Sequence, residues 1–286
     1  MQLSYRGSVN RWECDENDHL NVRFCEEKLW QTLVGGLLEL DAITESEVND
    51  LPARISCQHL RFQQESRIAT PISGFVSLLS DNVSKEFNVL AQLRHSVSGE
   101  PLCSSLVAIN GISHGEAAVG EDEITHSLPR GIDSDSPYHV LNLTAALEKG
   151  FAVSGRGVIQ RNECTNSGFL LPYNYMARTS DSMPNLWSHL AGDERVTDAQ
   201  GGAVVEFRRH YHQPFRENQA FVVVSGLLDA QGKVQRFGHL LFDARTHQCY
   251  ASAQAVAVRM DLKARKAIAL SDEELASLLH KQVQPL

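Results

Sequence analysis

Apolar positions recur along the chain in two different rhythms. Between residues 21 and 42 they fall three and four positions apart, at residues 22, 25, 29, 30, 33, 34, 37 and 38. This spacing places them on one face of a helix, in which Gly35-Gly36 would allow a close approach to a sheet. Elsewhere, long runs of branched and aromatic residues alternate with polar turns such as Asp81-Asn82 and Gln231-Gly232, which is typical of strands joined by short connections.

The same order of elements is predicted twice. The first half has a strand at 3–12, a helix at 21–42 and strands at 54–67, 72–80, 85–97 and 101–110. The second half has a strand at 152–162, a helix at 172–191 and strands at 202–214, 219–229, 234–244 and 249–261. Successive strands with short turns indicate an antiparallel meander, and one helix packed on it gives an α+β architecture. We expect Pro184 to kink or split the second helix.

The two halves also share sequence. Residues 6–14, RGSVNRWEC, and residues 156–164, RGVIQRNEC, are identical at five of nine positions with an offset of 150 residues. Phe87 and Leu90 match Phe237 and Leu240 at the same offset. Because order and spacing persist over more than 80 residues, an internal duplication is favoured over two unrelated α+β domains.

The predicted organisation follows from this repeat. We expect a first repeat at 1–110, a linker at 111–150, a second repeat at 151–268 and a C-terminal helix at 269–286. The linker begins with a stretch rich in Gly, Ser, Asp, Glu and Pro, and a short helix is predicted within 138–149. Ser271, followed three residues later by Glu274, is a capping box that would begin the C-terminal helix.

The composition of the chain limits which classes of partner are expected. The chain has 286 residues, of which 42% are hydrophobic, enough for one large core or two medium cores. Its net charge of −9 and scattered basic residues argue against nucleic acid or an anionic membrane as a partner. No apolar run approaches the roughly 20 residues of a membrane span, and the first residues lack the apolar core of a signal peptide, so we expect a cytoplasmic protein. Six cysteines without a CxxC pair are expected to be reduced and mostly buried.

The polar turn between the first strand and the first helix offers candidate chemistry. Residues 12–24 read WECDENDHLNVRF and place Asp15, His19 and Asn21 just before a helix N-terminus. Such an end supplies unpaired backbone N–H groups and the positive end of the helix dipole. A carboxylate there can act as a general base or a nucleophile, and amides near residues 18–21 can hold a developing oxyanion.

This turn resembles the opening motif of the 4-hydroxybenzoyl-CoA thioesterase-like superfamily. In that motif an Asp follows the first strand, a Gly-His pair comes three and four residues later, and an Asn comes two after the His. Asp15, His19 and Asn21 fall at the matching positions, whereas Asp18 replaces the Gly. Aspartate tolerates left-handed backbone better than most residues. The resemblance covers roughly 1–110 and 151–262 and implies a double hotdog fold, with two tandem repeats that each pack a long helix on an antiparallel sheet.

The resemblance also implies a function. The chain would be an acyl-CoA thioesterase that hydrolyses an acyl-CoA to the free acid and CoA, without a metal or bound cofactor. Asp15 would act as general base or nucleophile, while His19 and Asn21 orient water, the carbonyl or Asp15. The CoA phosphates would need local basic side chains, from Arg23, which we place among the substrate-binding residues, or from Arg61 or the Arg208-Arg209 pair, although each of these could be an ordinary surface or strand arginine.

The second turn keeps the scaffold and loses the chemistry. Residues 162–175 read NECTNSGFLLPYNY, in which Gly168 restores the family glycine. The second turn departs from the motif at three positions, where Thr165 replaces the Asp, Phe169 the His and Leu171 the Asn. We therefore expect one working site per chain, with Thr165 and Asn166 either binding substrate or remaining as a relic.

Other interpretations stay open at this stage. Asp15 could simply stabilise the corner, His19 could be a structural histidine and Asn21 a helix N-cap. A hotdog hydratase or dehydratase would need an Asp/His pair in a different loop context and spaced wider than the four residues between Asp15 and His19. A non-catalytic acyl-CoA binding or sensing module has the altered second turn as its precedent. His210 and His212 share one face of a predicted strand, but the sequence shows no third ligand, so no metal site is expected. Whether the chain forms a homo-oligomer is left open by its sheet edges.

Overall fold

The computed structural model describes residues 1–15, 17–115, 119, 121–132, 134–191, 200–261 and 263–286. Within them the chain forms two compact units. The first comprises Met1–Arg130 with Cys164–Ala177, and the second comprises Gly131–Glu163 with Arg178–Leu286. The second polar turn and the start of the second long helix therefore belong to the first unit, although they lie in the second repeat of the sequence.

The described residues of the first unit form five strands and one long helix. Its elements are β1 (Gln2–Ser8), α1 (Val22–Glu39), α2 (Leu51–Arg54), β2 (Ile55–Phe62), β3 (Pro71–Leu78), β4 (Val89–His95), β5 (Pro101–Ile109) and α3 (Glu121–Thr125). The strands are antiparallel in the order β1-β3-β4-β5-β2. The expected meander is thus correct for β3 to β5 and wrong for β2, which pairs with β5 instead of β3. The residues between β2 and β3 run back past β1, where Val9 N donates to Thr70 O and Ala69 N to Val9 O.

The second unit repeats this order. Its elements are α4 (Leu143–Glu148), β6 (Ala152–Val158), most of α5 (Pro172–Ala191), β7 (Gln200–Tyr211), β8 (Ala220–Gln231), β9 (Val234–Asp243), β10 (Cys249–Asp261), β11 (Lys266–Ala267) and α6 (Asp272–Leu279). The antiparallel order β6-β8-β9-β10-β7 matches β1-β3-β4-β5-β2 position for position, and β11 pairs with β10. Identical strand order in both halves confirms the duplication.

The second long helix is continuous, which corrects the expectation of a split at Pro184. Pro184 lies inside the 20-residue helix Pro172–Ala191. A proline removes one backbone hydrogen bond and crowds the preceding turn. Here the following turns keep Leu186 and Leu190 buried, so side-chain packing holds the helix together across the missing bond.

α1 lies close against its sheet. Leu29, Leu33 and Leu37 are buried on the packed face. A side chain at Gly36 would collide with Val76 of β3, so the glycine is what permits the close approach that the sequence suggested.

The cysteines differ from expectation at one pair. Cys25 of α1 and Cys103 of β5 form a disulfide, whereas we expected reduced thiols. The sequence could not show this pairing because 78 residues separate the two cysteines. Cys14, Cys57, Cys164 and Cys249 are not disulfide-bonded among the described residues.

The C-terminal helix begins as the sequence predicts. Ser271 Oγ accepts from Glu274 N at 3.2 Å, and Ser271 N donates to the Glu274 carboxylate at 2.8 Å, which completes the capping box of α6. Val283, just beyond α6, donates its N–H to Leu227 O of β8. No helix among the described residues is both long and apolar enough to cross a membrane.

Candidate functional site

The first polar turn is a short loop closed at its base. Cys14 and Leu20 form an antiparallel bridge, and Asp15 N donates to His19 O at 2.8 Å. Asp18 has φ +62°, the left-handed region, and its N–H donates to Asp15 O at 3.1 Å. Asp18 therefore adopts the same left-handed conformation as Gly168, its counterpart in the second turn, and the turn stays tight.

The Asp15 carboxylate has two different oxygens. Oδ1 accepts from Asn17 N at 2.9 Å and from His19 N at 3.1 Å, which fixes the turn. Within the described part of the chain, Oδ2 has no hydrogen-bond partner. Asp15 is half-buried and reachable by solvent. One oxygen thus holds the loop while the other is free to accept a proton from water.

His19 is oriented by a residue that the sequence did not single out. Its Nε2 lies 3.1 Å from Oε2 of Glu65, and its side chain is 15% exposed. The adjacent Ser66 accepts from Leu20 N at 2.8 Å through its carbonyl, so this loop holds the turn at two neighbouring points. Glu65 was missed because it lies far along the chain, where only the return of residues 63–70 past β1 brings it close.

The backbone amides expected to form an oxyanion hole are already engaged, which corrects that expectation. The N–H groups of Asp18, His19, Leu20 and Asn21 donate to the Asp15 carbonyl, the Asp15 carboxylate, the Ser66 carbonyl and the Glu13 carbonyl. A group that has its partner inside the protein cannot stabilise a substrate oxygen without losing that bond.

The first turn of α1 offers other amides. Asn21 is the N-cap, since its Oδ1 accepts from Arg23 N at 2.9 Å. Within the described residues, the N–H groups of Val22 and Phe24 have no protein partner. These two amides, at the positive end of the helix dipole, are the donors available for an oxyanion.

A cation and a phenol lie at the same end of α1. The Arg23 guanidinium is 5.2 Å from the centroid of the Phe24 ring, and its Nε is buried without a hydrogen-bond partner in the part of the chain described. Tyr173 stands in the first turn of α5. Burial raises the pKa of Tyr173, the negative charge of Glu27 adds to the rise, and Arg23 opposes it. The phenol therefore stays protonated and able to donate.

A buried ion pair anchors the segment before Asp15. Lys28 Nζ lies 2.8 Å from Glu13 Oε1, with only 5% and 11% of the two side chains exposed. The other Glu13 oxygen accepts from Asn10 N at 2.8 Å. The 3-10 turn Arg11–Glu13 is thereby fixed to α1.

Burial raises the pKa of the Cys14 thiol, which follows this turn, and nearby carboxylates raise it further. The thiol is therefore not poised as a nucleophile.

A narrow cleft opens beside α1 in the first unit. Its lining consists of Leu29, Trp30, Leu33, Ile55, Gln58, Ala91, Ser105, Val107 and Pro172. Most of these side chains are apolar, but Gln58 Nε2 donates to Ser105 Oγ at 3.1 Å inside the lining. Leu29 and Leu33 lie about two and three helical turns from the N-terminus of α1, so the cleft follows the helix away from the turn.

The second turn has the same backbone and a different side chain. Thr165 N donates to Phe169 O at 2.8 Å, and Gly168 has φ +79°. Phe169 N donates to Thr165 Oγ1 at 3.3 Å, so a hydroxyl replaces the carboxylate as the acceptor. Asn166 is exposed, and its N–H donates to Asn49 Oδ1 at 3.2 Å. Thr165 is buried and serves its own turn.

His210 on β7 and His212 just beyond its end do have a carboxylate near them. Asp135 Oδ2 lies 4.0 Å from His210 Nδ1 and 3.9 Å from His212 Nε2. His212 Nε2 is hydrogen-bonded to Ser252 Oγ at 2.9 Å, and Ser252 donates to Asp135 Oδ1 at 2.7 Å. Burial lowers the pKa of His212. The group therefore forms a hydrogen-bonded chain that ties the segment before α4 to the sheet.

Comparison with known proteins places the fold. The sequence matches no protein-family model and no curated relative. The 12:0-ACP thioesterase from Umbellularia californica is similar in structure, with a TM-score of 0.59, 11% identity and coverage of 89% of this chain and 93% of that one. An acyl-ACP thioesterase from Bacteroides thetaiotaomicron gives a TM-score of 0.55 at 10% identity, over 89% of this chain and 96% of that one. The chain therefore has the hotdog fold of these thioesterases, present as two tandem repeats.

Proposed function

We propose that the protein is an acyl-CoA thioesterase with one working site per chain, at the first polar turn. The observation that carries the proposal is that the two oxygen atoms of the Asp15 carboxylate are bonded differently. One oxygen is held by two backbone N–H groups, so the side chain is positioned, and the other oxygen has no partner in the described residues. That arrangement suits a general base acting on water.

The remaining groups have complementary roles in the proposal. The amides of Val22 and Phe24 stabilise the oxyanion that forms when water attacks the thioester carbonyl. His19, held by Glu65, orients the attacking water or carries the proton onward to the thiolate of CoA. Asn21 acts through the helix cap, since its side chain is committed to Arg23 N. Structures of the same fold at low identity are those of thioesterases, which supports a thioester substrate.

The cleft beside α1 is the proposed acyl site. The cleft is narrow and mostly apolar, so it suits a small acyl group better than a long chain. The Gln58–Ser105 hydrogen bond gives the lining a polar point. We therefore expect a preference for a short acyl group, strengthened where that group carries a hydroxyl or carbonyl.

A thiol-release assay over a panel of acyl-CoAs tests the proposal. The panel spans short, long, hydroxylated and α,β-unsaturated acyl groups. We expect stoichiometric release of CoA and free acid, fastest for short acyl groups. Addition of water to an unsaturated acyl-CoA without thiol release would identify a hydratase, and tight binding without either reaction would identify a binding module.

A further inference from the structure

Because the chain is duplicated, the surface around Asp15 can be compared with the equivalent surface of the second repeat. The 3-10 turns Arg11–Glu13 and Arg161–Glu163 are equivalent. Each is capped by the same interaction, from Asn10 N to the Glu13 carboxylate and from Gln160 N to the Glu163 carboxylate, both at 2.8 Å. Differences in exposed side chains between these two places are therefore not required by the backbone.

The loops beside the two turns can be aligned by their hydrogen bonds. Ala69 N donates to Val9 O, and Asn218 N donates to Ile159 O in the same way. Ala69 and Asn218 both have φ +64°. Ala69 and Asn218 are therefore equivalent positions, and the residues that precede them, Ile68 and Glu217, correspond to each other.

This alignment shows an ion pair that one half has and the other lacks. In the second half Arg161 Nη1 lies 2.6 Å from the Glu217 carboxylate. In the first half the arginine is kept as Arg11, but its partner has become Ile68, which is 51% exposed. Arg11 forms no ion pair with any residue that the structure describes. The change frees a guanidinium beside the turn that carries Asp15.

A second difference adds an aromatic ring at the same place. Trp12 is 74% exposed, and its equivalent in the second half is Asn162. An indole offers a large flat surface that folded proteins normally bury. Since Asn is accepted on the same backbone, folding does not call for the tryptophan. Trp12 lies three residues before Asp15, so the two are within about 10 Å along the chain.

Arg67 completes the surface. It is exposed, immediately precedes Ile68, and also has no ion pair among the described residues. The acidic side chain closest to it in sequence, Glu65, is bonded to His19. We call Arg11, Trp12, Arg67 and Ile68 the nucleotide patch.

We propose that the nucleotide patch binds the phosphoadenosine end of CoA, a proposal that rests on the thioesterase function above. The Trp12 indole stacks on the adenine, Ile68 extends the apolar surface, and the two guanidinium groups bind phosphate oxygens. Base stacking on an exposed aromatic ring and bidentate contacts from arginine to phosphate are the two interactions that such side chains make best.

The size of the patch favours a nucleotide over an acyl carrier protein. A specific protein interface buries about 800 Å² on each partner, far more than two apolar side chains supply. A carrier protein also presents no adenine for the indole to stack on. The patch therefore identifies CoA as the carrier of the acyl group.

Binding of adenosine 3′,5′-bisphosphate, the nucleotide end of CoA, tests this directly by isothermal titration calorimetry. We expect Trp12→Ala and Ile68→Glu to weaken binding at least tenfold, the latter because the new carboxylate pairs with Arg11 as Glu217 pairs with Arg161. Trp12→Phe, which keeps a stacking ring, should stay within threefold of the parent protein. Asn162→Ala, the matched change in the second half, should leave binding unchanged.

Hydrolysis provides a second readout. The ratio of kcat/KM for an acyl-CoA to that for the same acyl-pantetheine, which lacks the nucleotide, should fall at least tenfold in Trp12→Ala. The proposal is overturned if the nucleotide does not bind the parent protein, or if all variants bind it equally. It is also overturned if Trp12→Ala and Ile68→Glu impair only acyl carrier protein thioesters.

The two proposals fail in distinguishable ways. If the nucleotide binds through the patch but no acyl-CoA is hydrolysed, the thioesterase function is wrong and the patch stands. If acyl-CoA is hydrolysed equally by the parent protein, Trp12→Ala and Ile68→Glu, the function stands and the patch is wrong.

Discussion

Asp15 has a structural task that can be measured apart from chemistry, because the second turn performs the same task without a carboxylate. Replacing Asp15 with Ala removes the acceptor for the N–H groups of Asn17 and His19. A hydrogen bond to a charged group contributes about 1.5–3 kcal/mol, and the lower end applies to this half-exposed site. Since the two N–H groups remain partly reachable by water, we expect Asp15→Ala to lower the free energy of unfolding by about 2–3 kcal/mol.

Two companion variants make the measurement specific. Asp15→Asn keeps an oxygen acceptor in the same place, so its loss should stay below about 1 kcal/mol. Thr165→Ala removes one neutral hydrogen bond of 3.3 Å, which predicts a loss of about 0.5–1.5 kcal/mol.

Urea unfolding at neutral pH, followed by circular dichroism with fitted m-values, gives these differences. The reasoning about the turn would be refuted if Asp15→Ala were as stable as the parent protein. It would also be refuted if Asp15→Asn cost as much as Asp15→Ala.

Three further predictions concern the two cores and the cleft. Burial lowers the pKa of His239 to about 3, so the second unit should lose stability as the pH falls below the unfolded pKa near 6.5. Between pH 6.5 and 5 the loss of stability from this group is about 2 kcal/mol. Hydrogen exchange of the β9 amides measures this pH-dependent loss, which His239→Gln should abolish. Lys28→Met leaves Glu13 buried without its partner and should cost about 3–5 kcal/mol in urea unfolding; stability equal to the parent would show that the pair does not anchor the turn. Val107→Ala widens the cleft and should shift the optimum of the acyl-CoA panel toward longer chains, and an unchanged profile would place the acyl group elsewhere.

The fold was predictable because its main signals are local or periodic. The spacing of apolar residues in α1 predicts the helix within a few residues of Val22–Glu39, and the repeat sequence predicts the second copy. The left-handed turn at Asp18 follows from the match to a family glycine, and the structure confirms it with φ +62°.

What the sequence missed depends on distant parts of the chain. β2 pairs with β5 instead of β3, and the loop between β2 and β3 then brings Glu65 to His19. No local pattern encodes that return. The acceptor of Leu20 N, the Ser66 carbonyl, was missed for the same reason, whereas the amides of Asp18, His19 and Asn21 bond to Asp15 and Glu13 within the turn itself. The helix is not split at Pro184 because propensity is a weak guide where packing decides.

The nucleotide patch could be recognised only from the sequence repeat and the structure together. The sequence shows Arg11 and Arg161 as an identical pair, but not that Glu217 satisfies only one of them. Hydrogen bonds at Ala69 and Asn218 were required to align the loops, because the offset there is 149 residues instead of 150.

The measurement that bears most directly on the account is CoA release by Asp15→Asn, a variant expected to fold like the parent protein. With the best acyl-CoA of the panel under single-turnover conditions, we expect the rate to fall at least about 100-fold, the lower range for loss of a general base. Asp50→Asn, an exposed aspartate in the same unit, serves as the control and should retain the parent rate. A folded Asp15→Asn protein that releases CoA within threefold of the parent rate would contradict the assignment of the chemistry to the first turn.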